Sequence, residues 1–148
     1  MEDIYDGHNV IGTVYCQCKC WGRADGPVEM RPVGEVEVIQ GVAAVCESGL
    51  YGPPLRQASR ACLGIVGEVD LRHANVAQVV EAMCQSRNFR GVRAYGPYDD
   101  DFKRGLRELE ARGLSVDVWN LPSPGYVPGE LPKLSALASE FPKVTFVL

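Results

Sequence analysis

Between Phe89 and Trp119 the sequence FRGVRAYGPYDDDFKRGLRELEARGLSVDVW restricts the fold of this chain more than any other stretch. It reads as a strand, a short loop, an amphipathic helix, a glycine stop and a second strand. The acidic run Asp99 to Asp101 suits the positive end of a helix and can cap its free N–H groups. Phe102, Leu106 and Leu109 follow at i, i+4 and i+7, which puts one apolar stripe on the helix. Gly113 ends it where a left-handed residue is needed. Two short β-rich runs joined by such a helix make a βαβ unit, and that unit requires parallel strands with a right-handed crossover.

The rest of the chain repeats the unit. Asn9 to Cys18 is rich in β-branched and aromatic residues and reads as the first strand. A Gly/Pro-rich loop leads to a helix from Gly34 to about Ser48. There Val36, Ile39, Ala43 and Cys46 form a stripe that Val38, Val42 and Val45 widen, which predicts a largely buried helix. Ala61 to Leu71 is the second strand, and Asn75 with Gln78 resembles a capping box ahead of Val76, Val79, Val80 and Met83. Phe89 to Tyr95 and Leu114 to Asn120 are the third and fourth strands. Leu134, Leu137, Ala138 and Phe141 mark a last helix stopped by Pro142, and Val144 to Leu148 a fifth strand. Five strands strictly alternating with four helices make an α/β protein, and 148 residues suit one domain.

Two architectures have this element order: a doubly wound open sheet, or part of a (β/α)8 barrel, which needs about 250 residues when complete. Side-chain parity separates them. A sheet covered by helices on both faces should be apolar on both parities, whereas a barrel wall turns polar on its inner parity at the mouth. In the first strand Thr13, Tyr15 and Gln17 alternate with Val14, Cys16 and Cys18, and in the second Glu68 and Asp70 oppose Val69. In the third Arg93 and Tyr95 oppose Val92 and Ala94, and in the fourth Ser115, Asp117 and Trp119 oppose Val116 and Val118. The pattern favours a partial barrel and nominates Gln17, Glu68, Asp70, Arg93, Asp117 and Trp119 as mouth residues. A plainer role is open to the charged ones, because Arg93 can pair with Glu68 or Asp117 in a polar layer.

A net charge of −4 gives no electrostatic footprint for nucleic acid or an anionic membrane, and no run approaches a membrane span. The N-terminus is acidic and has no apolar core, so it is not a secretory signal and a cytoplasmic location is expected. Without secretion a disulfide framework is not expected for Cys16, Cys18, Cys20, Cys46, Cys62 and Cys84. The three clustered thiols would share one face of a strand. They lack C-x-x-C spacing and a nearby histidine, so they read as small buried hydrophobes rather than as a metal site. His8 and His73, the only histidines, have no partner at ligand spacing. No phosphate-binding glycine motif and no nucleophile elbow is present.

Several segments in unbroken order resemble the amidohydrolase-related hydrolases of the 2-pyrone-dicarboxylate and fuconolactone hydrolase type. They are Arg23 to Pro27, Met30 to Glu35, Gly41 to Ala44, Cys62 to Leu71, Phe89 to Arg93 and Leu114 to Trp119. The resemblance implies strands two to six of an eight-stranded barrel. It also implies hydrolysis of a small carbonyl substrate such as a lactone, with Arg93 binding a substrate carboxylate and Asp117, Glu68, Gln17 and Trp119 lining the mouth. The family's His-x-His metal motif and catalytic aspartate have no counterpart here, and Ala94 stands where a histidine is often found. The expectation is therefore a fragment without turnover and without a metal or other cofactor of its own, a divalent metal such as zinc belonging to a full-length parent. Unpaired strand edges leave room for a homo-oligomer. The alternative is a non-catalytic α/β domain with an interaction or remnant role.

Overall fold

A computed structural model describes residues 7–49, 60–118 and 130–148. Five strands are β1 (Gly12–Cys16), β2 (Arg60–Glu68), β3 (Phe89–Ala94), β4 (Ser115–Val118) and β5 (Phe146–Val147). Four helices alternate with them: α1 (Arg31–Glu47), preceded by a 3-10 turn at Val28–Met30, α2 (Val76–Cys84), α3 (Asp100–Arg112) and α4 (Glu130–Glu140). All pairings are parallel and the strands lie in the order in which they occur in the chain. Crossovers of one hand that never reverse direction put every helix on the same side of the sheet. The sheet curls into half of a barrel, with helices outside and a concave face within. A doubly wound sheet would need its strand order to reverse.

Helix α3 forms for the reasons its sequence gives. Asp99 sits in extended conformation at the N-cap and its carboxylate accepts from the Phe102 N–H at 2.9 Å. Phe102, Leu106 and Leu109 are fully buried, each contributing roughly 1.5–3 kcal/mol of apolar transfer free energy. Gly113 closes the helix at φ 65°. Gly105 lets α3 approach the segment that follows β2, since a Cβ there would lie 2.3 Å from the Leu71 carbonyl oxygen.

Helix α1 departs from expectation. Val33, Val36, Ile39 and Ala43 are buried against the sheet, but Val38, Val42 and Val45 are 42%, 45% and 38% exposed. A helix on the outside of a barrel wall meets the sheet along one stripe only, so valines on its far side stay in water. The capping box at α2 is also absent. The Asn75 side chain makes no cap and donates instead to Glu29 Oε1 at 2.8 Å, a charged acceptor that competes well with a backbone contact.

Candidate functional site

Pairing register builds one polar row across the concave face. Glu68 of β2 lies beside Arg93 of β3, and Arg93 lies beside Asp117 of β4. Residues paired in register on parallel strands point the same way, so three ionisable groups stand side by side near the strand C-termini. Val92 and Val116, one position back, point towards the helices and are fully buried. One layer below the charged row, Gly91 pairs with Ser115, and a Cβ on Gly91 would come within 2.1 Å of the Ser115 hydroxyl.

Arg93 Nη2 is 3.5 Å from Asp117 Oδ2, and the two side chains are only 13% and 14% exposed. Glu68, although it lies next to Arg93, is bridged by Lys19 Nζ at 3.2 Å. Lys19 also stands 5.2 Å from the centre of the Tyr95 ring, a cation–π contact. The hydrogen bond to Glu68, with its charge, raises the Lys19 ammonium above its ordinary value. Gln17 is buried, its backbone N–H bonded to the Val66 carbonyl and its Nε2 3.4 Å from the Tyr95 hydroxyl. Gln17 Oε1 has no hydrogen-bond partner among the described residues.

Four of the nominated residues, Gln17, Glu68, Arg93 and Asp117, therefore fall in one polar layer at the mouth. Asp70 does not join them. It is exposed and turns back on its own loop, accepting from the Arg72 backbone at 3.0 Å and from Arg72 Nε at 3.1 Å. Trp119 lies outside the described residues. Lys19 and Tyr95 complete the layer without having been nominated. Tyr95 shares the parity of Arg93, which was a usable signal, whereas Lys19 arrives through a left-handed bend (φ 62°) that its sequence context does not announce.

The first strand corrects two readings. Tyr15 pairs with Ile65 and faces the helices, where its hydroxyl donates to Glu35 Oε1 at 2.6 Å, so it does not share a face with the mouth. Cys16, Cys18 and Cys20 are exposed rather than buried: Cys16 ends the edge strand β1, and Cys18 and Cys20 lie beyond it. Cys62 alone of the six thiols is buried. Behind the end of β2, a cleft of about 270 Å³ is apolar on Val69 and Val79 and polar on Glu29, Glu68, Asp70 and His73. His73 Nδ1 accepts there from the Asn75 backbone at 3.1 Å.

Zinc needs three or four N, S or O ligands converging on one point. Among the described residues no three His, Cys, Asp or Glu side chains are grouped to hold a metal ion. No helix among them is long and apolar enough to cross a membrane.

Compared with known proteins, the chain matches no family profile and no solved structure. It is similar to an uncharacterized protein, y4mH, of Sinorhizobium fredii (strain NBRC 101917 / NGR234), at 28% identity over 138 residues. The match takes in 80% of this chain and 39% of that relative, so the chain spans well under half the length of the curated relative it matches.

Proposed function

We propose that this chain forms the substrate-cradling part of a (β/α)-barrel hydrolase that acts on a small carbonyl compound bearing a carboxylate, such as a lactone acid. The observation that carries the reading is the row Glu68–Arg93–Asp117, set side by side near the C-terminal ends of parallel strands. That end of a barrel is where its enzymes build their sites. The resemblance to amidohydrolase-related hydrolases names the reaction class.

Arg93 takes the substrate carboxylate, for which a planar guanidinium is the best-matched side chain. Asp117 fixes the plane of that guanidinium from the next strand. Gln17 Oε1, buried and open to a donor, accepts from a substrate hydroxyl or a water. Lys19 closes the β1 side of the mouth over Glu68 and Tyr95. These residues bind and orient. Bond cleavage belongs to groups that this set does not contain.

The test is calorimetric titration of the purified chain with γ-lactone carboxylates, alongside an assay for ring opening with and without zinc. Saturable binding that Arg93→Met abolishes, with no turnover, is the expected result. Absence of binding removes the cradle, and turnover by this chain alone shows that the chemistry lies within it.

A second reading, a non-catalytic association module, draws on the exposed stripe Val38, Val42 and Val45 and on the uncovered edge residues Val14 and Val147. Size-exclusion chromatography separates the two: a defined oligomer lost in Val42→Lys favours the module, and a compact monomer favours the cradle.

A further inference from the structure

The thiols at the end of β1 sit in a setting that no role at the mouth explains. Glu35 of α1 is 3% exposed, and its Oε1 accepts two hydrogen bonds, from the Tyr15 hydroxyl at 2.6 Å and from the Cys18 backbone N–H at 2.8 Å. The Tyr15 oxygen is also 2.8 Å from Cys18 Sγ. A phenol has one proton, and it goes to the carboxylate, so of these two groups the Cys18 thiol is the one that can donate to the other, its alternative acceptor being the Cys16 carbonyl at 3.9 Å. The result is a directed chain, Cys18 S–H to Tyr15 O–H to Glu35 carboxylate. A nucleophile joined to a base through hydrogen bonds is the arrangement that activates side-chain nucleophiles.

The second feature is a partner thiol. Lys19 adopts a left-handed conformation (φ 62°), and this bend folds Cys20 back until its Sγ lies 3.6 Å from the Cys18 carbonyl oxygen. Desolvation raises the Cys20 thiol above its ordinary value, with further contributions from the charge of Cys18, a side-chain hydrogen bond with it and the charge of Glu35. Both cysteines are exposed.

We propose that Cys18 and Cys20 are a reactive dithiol that small-molecule disulfides oxidise to an intrachain disulfide, with Tyr15 and Glu35 receiving the proton from Cys18. In the first step the Cys18 proton passes to the Tyr15 oxygen as the phenolic proton passes to Glu35. The sulfur attacks one sulfur of RS–SR, forming a Cys18–SR mixed disulfide and expelling RS⁻, which takes up a proton. In the second step Cys20 loses its proton and attacks the Cys18 sulfur, forming the Cys18–Cys20 bond and expelling the second RS⁻. Two electrons pass from the chain to the reagent and two molecules of RSH leave. Because Lys19 lies between the two cysteines and bridges Glu68, the new ring would also hold one side of the mouth.

The experiment is oxidation of the reduced chain with glutathione disulfide, quenching by alkylation, and tryptic mass spectrometry. Trypsin cuts after Lys19, so a Cys18–Cys20 bond leaves residues 1–19 joined to residues 20–23, and fragmentation distinguishes Cys16 from Cys18. The joined product is expected in the wild type and in Cys16→Ser, and not in Cys18→Ser. Tyr15→Phe should slow Cys18 glutathionylation about tenfold, as loss of thiolate supply would. A Cys16–Cys20 link, or an unchanged rate in Tyr15→Phe, overturns the proposal. If Tyr15→Phe does not fold, the wild type decides. Cys18 should then react about tenfold faster than Cys16 in the native chain and at a similar rate in urea, and equal native rates refute the relay.

Discussion

Replacing Arg93 by methionine and Asp117 by leucine, singly and together, measures what the central ion pair is worth. At 3.5 Å, unit charges in an effective dielectric of about 20 attract by about 5 kcal/mol. Both side chains are more than four-fifths buried, so desolvation offsets much of that attraction. Removing one partner leaves the other charge in the wall facing the cost of its own burial. Each single variant should therefore lose about 2–4 kcal/mol of stability. The double variant, with two apolar side chains on the concave face, should lose less than the sum, giving a coupling of about 1–3 kcal/mol. Urea unfolding with a constant m-value supplies all four corners of the cycle. A coupling within about 0.5 kcal/mol of zero, or a single variant as stable as the wild type, would refute the pairing as described.

Three further outcomes follow from the same geometry. Asp99→Ala should cost about 0.5–2 kcal/mol through loss of the cap on the Phe102 N–H, read as a lower urea midpoint. Gly105→Ala gains about 1 kcal/mol of helix propensity but drives a methyl into the Leu71 carbonyl, so a net loss of roughly 1–3 kcal/mol is expected in thermal unfolding. Lys19, raised by its hydrogen bond to Glu68, should titrate above an ordinary lysine by NMR and return towards it in Glu68→Gln. The sign follows from that shift: the bridge's contribution is complete below the ordinary lysine value and is lost as pH rises through the raised one.

What the sequence made legible was what depends on local periodicity. Alternation placed Arg93 and Asp117 opposite Val92 and Val116, and pairing in register kept them together across the sheet. The Asp99 cap and the Gly113 stop are also local signals, and α3 begins and ends at them. Properties set by what lies above a residue were not legible. Val38, Val42 and Val45 extend an apolar stripe in sequence, but only the sheet's curvature decides which side of α1 is covered. Cys16, Cys18 and Cys20 read as core residues because neither a strand's edge position nor its end can be seen from its own composition. Asn75 had the right neighbour for a capping box, yet Glu29, far away in the chain, captured its amide. Lys19 reached the mouth through one left-handed residue, its own, and no periodicity encodes that.

The cradle itself is tested most directly by NMR titration of the chain with a γ-lactone carboxylate, following the arginine Nε–H resonances and the backbone amides. Saturable shifts confined to the Arg93 side chain and to the ends of β2, β3 and β4, absent in Arg93→Met, are the predicted result. Shifts that leave Arg93 untouched, or that persist unchanged in Arg93→Met, would contradict it.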